Sequence, residues 1–395
     1  MQLKTIWILI VVALVTGPAG AYESREPVPA DVPPSLTGES QKPDPQPTQE
    51  GISGEKIAEK VKSLGEDVST LRKNLEVLRR MRLSGYIQPQ FVDDQSSSDE
   101  LTGTSTRNRD QFSVRRARVK FTYQVLPTSR FVVQPDITSS GVSLKDGYLE
   151  LTEPWTSWKH TLTAGQFTWP FGFELLQSSN AREMPERSRA VQTLFPGVRD
   201  RGVMLSGLGL QDRFRYQVAI VNGTGTTQSF DANSRKDFVG RASWSFGQLN
   251  AGASIYRGHE LVATDLNPRG VEFDKEREGI DLQWKTPVNG LALRGEYITG
   301  RQAPSSGSSL ATSRDVAGWY LYAVQNIGTR HQLILRTDQY DPDTDVARNA
   351  TRTLGGSYIF HWDANSKVMF AYEAPRNQIN DPDDDVLTIR YQFSF

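Results

Sequence analysis

Basic side chains recur at every second position in several segments of this chain, and their spacing suits one kind of chemistry. Arg116, Arg118 and Lys120 share one parity, while apolar residues such as Val119 and Phe121 occupy the positions between them. Arginines in comparable alternating segments are Arg213, Arg215, Arg241, Arg294 and Arg336. Guanidinium groups donate planar, charge-assisted hydrogen bonds to carboxylates and phosphates. A surface lined in this way would bind or guide anions.

The alternation itself predicts β-strands, because successive side chains of a strand point to opposite faces. Sixteen such segments lie near 83–92, 111–125, 130–137, 143–152, 161–168, 200–209, 213–222, 236–246, 249–258, 277–286, 290–300, 315–325, 331–340, 352–362, 366–375 and 386–395. Short turns alternate with long polar loops, such as 259–276 and 301–314. We therefore predict an all-β protein, a 16-stranded antiparallel transmembrane β-barrel over residues 83–395.

The last segment ends on an aromatic residue, Phe395, which shares its parity with Ile389, Tyr391 and Phe393. A terminal aromatic residue on the apolar face is typical of bacterial outer-membrane barrels. A lipid-facing arginine at the membrane centre costs about 2–4 kcal/mol, so the basic face must line the lumen. An alternative is that the inward arginines pair with inward acids such as Glu296 and Asp338, which would stiffen the wall without selecting ions.

The amino-terminal region predicts export. Residues 1–21 combine Lys4, an apolar stretch and a small-residue cleavage site at 19–21, as in a signal peptide. Residues 22–54 are rich in proline and polar residues, and we interpret them as a linker. No segment has the roughly 20 apolar residues of a membrane-spanning helix, so strands must make any crossing.

Residues 55–82 carry apolar side chains at alternating spacings of four and three. They are Ile57, Val61, Leu64, Val68, Leu71, Leu75 and Leu78. Three unbroken heptads predict a short coiled coil, with valine at a and leucine at d favouring dimers in isolated peptides. An amphipathic helix docked on its own domain is the alternative.

Residues 167–200 form the longest stretch without clear alternation. About thirty residues are too many for a simple turn, so we predict a loop folded into the barrel, where protein and water can satisfy its backbone. Arg187 and Arg189 are its candidate constriction residues. The alternative is an extracellular flap over the mouth.

Several short motifs together resemble the phosphate-selective porin O and P family. They are the segments 112–118, 144–150, 165–174, 178–179, 186–188 and 202–207. The resemblance implies a trimeric, sixteen-stranded outer-membrane channel with an inward loop, and in the namesakes an arginine-lined lumen leading to a lysine-rich phosphate site. Here the barrel lysines form no compact cluster: Lys120, Lys145, Lys159, Lys236, Lys275, Lys285 and Lys367. The resemblance therefore supports a pore more strongly than a particular solute.

The function expected from these features is passive diffusion of small inorganic anions, such as phosphate or polyphosphate, across the bacterial outer membrane. The alternatives are a general small-solute porin, or a trimeric scaffold or cell-wall tether acting through residues 55–82. The 4 His residues are far apart and the chain has no Cys. We therefore expect no enzyme activity, metal site, cofactor or nucleic-acid partner; the expected partners are outer-membrane lipid and further copies of the chain.

Overall fold

The computed structural model describes residues 54–95, 110–226, 230–231, 233–263, 267, 270–304, 312–378 and 384–395, without the side chains at 73 and 77. The expected signal peptide at 1–21 and almost all of the linker at 22–54 lie outside the described residues. Two helices and sixteen strands are present in the described part of the chain.

Helix α1, Gly54–Arg79, covers most of the segment expected to form a coiled coil. All seven heptad positions are exposed, with relative exposures of 47–62%. The helix ends before Met81, where the first strand begins. Neither described helix combines the length and apolarity needed to span a membrane.

The sixteen strands pair antiparallel with their neighbours in chain order, and the first also pairs with the last, so that the sheet closes into a barrel. The strands are β1 Met81–Asp94, β2 Gln111–Leu126, β3 Ser129–Thr138, β4 Gly141–Thr152, β5 Thr161–Thr168, β6 Arg199–Gly209, β7 Phe214–Val221, β8 Asp237–Phe246, β9 Leu249–Val262, β10 Val271–Lys285, β11 Leu291–Gln302, β12 Arg314–Ile327, β13 His331–Asp341, β14 Thr351–His361, β15 Ser366–Asn377 and β16 Val386–Ser394. The predicted closed barrel of sixteen antiparallel strands is confirmed.

Several strands are longer than their alternation predicted. β9 and β10 remain paired up to Val262 and Val271, so the loop expected at 259–276 is much shorter. β11 and β12 likewise extend into the loop expected at 301–314. Main-chain hydrogen bonds continue a ladder whether or not its side chains are apolar. Apolar alternation therefore underestimates strand length where the side chains on both faces are polar.

The carboxyl terminus closes the cylinder. The Phe395 N–H donates to the Gly85 carbonyl over 3.0 Å, and the Gly85 N–H donates back to the Phe395 carbonyl over 2.9 Å. The Phe395 ring covers Gly85, where a Cβ would lie 2.6 Å from the ring atom Cζ. Closure leaves no unpaired sheet edge, which a barrel in lipid requires.

Candidate functional site

The segment between β5 and β6, residues 169–198, lies inside the barrel. Its carbonyl groups accept hydrogen bonds from side chains of strands around the wall: Gln88 to Ser179 over 3.2 Å, Arg336 to Glu186 over 2.9 Å, Ser357 to Glu183 over 2.5 Å, Lys367 to Asn180 over 2.8 Å and Arg390 to Pro185 over 2.6 Å. These donors lie within β1, β13, β14, β15 and β16. We call residues 169–198 the lumen loop.

Apolar side chains anchor the lumen loop on the wall. Phe171 and Leu175 are almost fully buried, and the Phe171 ring lies 4.7 Å from that of Phe195, just after the short helix α2, Arg189–Leu194. Phe171 packs over Gly279 of β10, where a Cβ would lie 2.9 Å from the ring. Burial of this cluster makes loop docking favourable inside a wet bore.

Gly172 brings the loop backbone close to β11. Its φ is +55°, and a Cβ there would overlap the Glu296 carboxylate. The Gly172 N–H donates to Ser254 Oγ over 3.0 Å, and the N–H groups of Phe173 and Glu174 donate to Glu296 Oε2 over 3.2 and 3.3 Å. One alternative had expected Glu296 to pair with an inward arginine. Instead, its carboxylate holds the backbone of the loop.

Glu174 joins the two limbs of the lumen loop. Its carboxylate accepts the Ser188 N–H over 3.0 Å, the Ser188 hydroxyl over 2.6 Å and the Tyr322 hydroxyl over 2.8 Å. Charge-assisted hydrogen bonds of this kind are about twice as strong as neutral ones. The loop is thus closed on itself and tied to β12.

Four guanidinium groups converge on a single carboxylate of the loop, Glu186. The shortest distances to its oxygens are 2.9 Å from Arg115, 2.8 Å from Arg116, 3.7 Å from Arg182 and 3.0 Å from Arg390. Burial alone would raise the pKa of Glu186, but the charges of Arg116, Arg115, Arg390 and Arg182 hold that pKa well below its usual range. With four cations and one anion, this Glu186 cluster has a local excess of positive charge.

Arg115 reaches this cluster because β2 contains a bulge. Gln88 of β1 pairs with Arg116, but the next residue, Pro89, pairs with Val114, so Arg115 is an extra residue. In a bulge two residues oppose one on the partner strand, and proline, which has no N–H, is accommodated in sheets at such sites. Both Arg115 and Arg116 consequently bind Glu186 in the lumen.

The same arrangement recurs between β3 and β4. Gln134 pairs with Asp146 and Pro135 pairs with Leu144, so Lys145 is the extra residue. Lys145 interacts electrostatically with Arg118 and Asp136. Each of the two proline-associated bulges therefore adds one basic residue next to an inward-facing residue: Arg115 beside Arg116, and Lys145 beside Asp146.

A cavity of about 530 Å³ lies between the lumen loop and strands β1–β7. Its charged lining comprises six basic and two acidic residues: Arg82, Arg118, Lys120, Arg182, Arg187, Arg199, Asp146 and Glu150. Asp146 pairs with Arg199 over 2.7 Å, and Arg118 pairs with Asp136 over 2.9 Å. Lys120 makes no hydrogen bond or ion pair with any residue that the structure describes. We call this space the basic cavity.

Four of the residues singled out in the sequence lie at the basic cavity or the Glu186 cluster: Arg116, Arg118, Lys120 and Arg187. Arg187 donates to the carbonyl oxygens of Glu174 and Leu175 over 3.0 and 2.9 Å. It therefore braces the loop while lining the cavity.

Three further arginines are engaged by acids. Arg241 pairs with Asp281 and Arg294 with Glu183, while Arg336 pairs with Glu373 and, over 2.9 Å, with Asp338. For these residues the ion-pair alternative describes the observed geometry. Since a paired arginine offers few donors to a passing solute, these three stiffen the wall, and Arg294 and Arg336 also hold the loop.

The remaining three residues lie apart from the cavity. Arg189 begins α2 with an exposed side chain, and Arg213 is exposed in the turn before β7 rather than within the strand. Arg215 lines a separate space of about 320 Å³ near the short-turn rim.

Two arginines of the Glu186 cluster, Arg115 and Arg182, were not among the residues predicted from the sequence. Strand parity assigns Arg115 to the lipid face, and Arg182 lies in the lumen loop, where parity has no meaning.

A closed sixteen-stranded barrel with an inward loop is the architecture of outer-membrane porins. Residues 92–276 match the family model described as phosphate-selective porin O and P, which confirms the resemblance seen in the motifs. No curated protein matches the sequence.

Solved porin structures share the fold at low sequence identity. The anion-selective porin from Comamonas acidovorans is 11% identical with a TM-score of 0.60, over 80% of this chain and 99% of that chain. The outer-membrane channel DcaP of Acinetobacter baumannii is 14% identical with a TM-score of 0.56, over 80% and 97%. OmpF of Salmonella typhi, solved with daunomycin, is 11% identical with a TM-score of 0.57, over 80% and 97%. These similarities concern the fold alone.

Proposed function

We propose that this porin gives small anions a diffusion route across the outer membrane, along the basic cavity beside the lumen loop. The observation that carries the proposal is the charge of the lining, six basic side chains against two acidic ones. The adjacent Glu186 cluster adds further positive charge. The anion-selective porin from Comamonas acidovorans, which has a similar fold, supports the same preference for anions.

Physical chemistry links this lining to anion preference. A narrow bore with low-dielectric walls focuses the field of its charges and raises the local concentration of counter-ions. Guanidinium and ammonium donors also replace part of an anion's hydration shell as it passes. Passage further requires donors that release the ion again, and Lys120, which has no partner among the described residues, suits that role.

Phosphate is a candidate solute within this proposal, because the matching family model carries that description. The general small-solute porin is the alternative. Phosphate block of the chloride current at low concentration would favour the narrower function, whereas the absence of block would favour the general one.

The deciding experiment measures reversal potentials of purified protein in planar bilayers under a potassium chloride gradient. We expect the sign of an anion-preferring channel, and a cation-preferring potential would overturn the proposal. The double variant Lys120→Gln/Arg182→Gln should lower the anion-to-cation permeability ratio by about fivefold or more, because each unit charge about 4 Å away contributes about 1 kcal/mol in water, which is a factor of about five. Lys285→Gln, an exposed residue at the end of β10, is the matched control and should keep the wild-type ratio.

We also propose that the chain is a homotrimer in which the α1 helices associate. The exposed heptad face of α1 supports association, because seven apolar side chains on one stripe have no cover in the single chain. OmpT from Vibrio cholerae, which has a similar fold, has been solved in a trimer form. Cell-wall attachment through this helix remains the second expectation for residues 55–82.

Placing acids on the heptad face tests the assembly. Leu64→Glu combined with Leu71→Glu should lower the temperature at which the detergent-purified oligomer dissociates, because it places charges in an apolar seam. Ser63→Glu with Thr70→Glu adds the same charges outside the a and d positions and should leave that temperature unchanged. Equal dissociation temperatures for the two variants would show that the helices do not associate.

A further inference from the structure

We propose that the basic cavity binds small organic carboxylates with an apolar or aromatic body more tightly than equally charged anions without one. This inference rests on the proposed anion route and names the class of solute that the route favours. Its basis is an apolar surface that faces the same cavity as the cations.

Leu176 forms the loop side of that surface. The preceding residue, Leu175, is only 1% exposed and belongs to the buried apolar cluster, whereas Leu176 is 37% exposed and lines the cavity. The wall side is formed by Tyr148 of β4 and Met204 of β6, which line the same cavity and are partly exposed. Apolar walls with a few polar groups are typical of sites for organic ligands.

The cations that would hold the carboxylate lie on the same cavity. Arg182 is only 5% exposed, yet its Nε and Nη1 atoms have no hydrogen-bond partner, and its nearest acid is Glu186 at 3.7 Å. Buried donors without partners are costly, and a carboxylate would satisfy them in the planar geometry that guanidinium favours. Lys120 lines the same cavity and supplies a second, more flexible positive charge.

The cavity size agrees with this class. A volume of about 530 Å³ falls within the usual range of small-molecule sites. A single-ring carboxylate fits with room for water, which suits transient binding during diffusion. The carboxylate would meet Arg182 or Lys120, and the ring would contact Leu176, Tyr148 or Met204.

Acetate and benzoate provide a test, since both carry one carboxylate and differ in the apolar body. Each is titrated into the chloride current of wild-type channels in planar bilayers, with inorganic phosphate as a third probe. We expect benzoate to reduce the current at roughly tenfold lower concentration than acetate, because its ring leaves water on binding. Equal potency of the two would overturn the inference.

A variant locates the effect. Leu176→Ser should reduce the difference between benzoate and acetate to about twofold or less, because it removes the apolar contact. Val346→Ser alters a comparably exposed residue in the β13–β14 loop and should keep the wild-type difference. An unchanged difference in Leu176→Ser would count against the assigned surface. The reversal potential in potassium chloride reports separately on the proposed function, so anion preference with equal potency would refute this inference alone.

Discussion

Gly172→Ala is expected to release the lumen loop from the wall, roughly doubling single-channel conductance and weakening ion selectivity. The added Cβ would overlap the Glu296 carboxylate that receives the N–H groups of Phe173 and Glu174. Relief of this overlap requires the loop backbone to move, which breaks the hydrogen bonds that hold the first limb of the loop. Because the loop narrows the bore, its displacement enlarges the water-filled cross-section.

The matched control is Gly247→Ala in the turn between β8 and β9. Gly247 has φ of +63°, close to the +55° of Gly172, but no atom lies within 4 Å of its added Cβ. Both variants therefore carry the same backbone penalty of about 1–2 kcal/mol, and only Gly172→Ala carries the steric conflict. Wild-type conductance in both variants would show that Gly172 does not position the loop.

Deletion of Arg115 is expected to leave the barrel intact, whereas deletion of Val119 from the same strand is expected to prevent folding. Arg115 is the extra residue of the β2 bulge, so its removal leaves Val114 opposite Pro89 and Arg116 opposite Gln88. Val119 pairs in regular register with Gly85. Its removal forces one side of the strand to exchange faces, which turns either Arg116 and Arg118 or Lys120 toward lipid. Each such basic residue costs about 2–4 kcal/mol at the membrane centre.

Folding into detergent micelles, followed by the heat-dependent shift in gel mobility that barrels show, distinguishes the two deletions. The Arg115 deletion should fold and lose part of its anion preference, because one cation leaves the Glu186 cluster. If both deletions fold equally well, or if neither folds, the register assigned to β1 and β2 is wrong. Lys145 is the extra residue of the bulge between β3 and β4, so its deletion should also leave the barrel able to fold.

Gly172→Ala and the deletion of Arg115 test two separate features of the barrel interior. The lumen loop sets the width of the bore, and the bulges set which basic side chains reach it. The paired arginines form a third group. Arg336, for example, pairs with Asp338 and Glu373 and donates to the Glu186 carbonyl, so it fixes the loop rather than receiving solute.

The fold was readable from the sequence because a barrel wall repeats one local rule. Every second side chain meets lipid and every other one meets the lumen, so alternation in residues such as 116–125 identifies both the strand and its faces. Sixteen such segments, an aromatic terminus and a thirty-residue irregular segment were enough to predict the closed barrel. The strand ends at Val262 and Val271 escaped this rule, because the consecutive charged residues at 274–278 interrupt the apolar alternation before the strand ends.

The site depended on contacts between residues that are distant in the chain. Arg115 reads as lipid-facing by parity, and only the bulge opposite Gln88 and Pro89 of β1, in which Arg115 is the extra residue, turns it inward. Arg336 and Lys120 both face inward by parity, yet Arg336 is engaged by three loop and wall groups, whereas Lys120 has no partner among the described residues and borders the basic cavity. Local sequence determines which face a strand residue occupies, because alternation is a property of the strand itself. Which charges meet a partner and which remain available to a solute depends on where the lumen loop lies, and tertiary packing alone decides that.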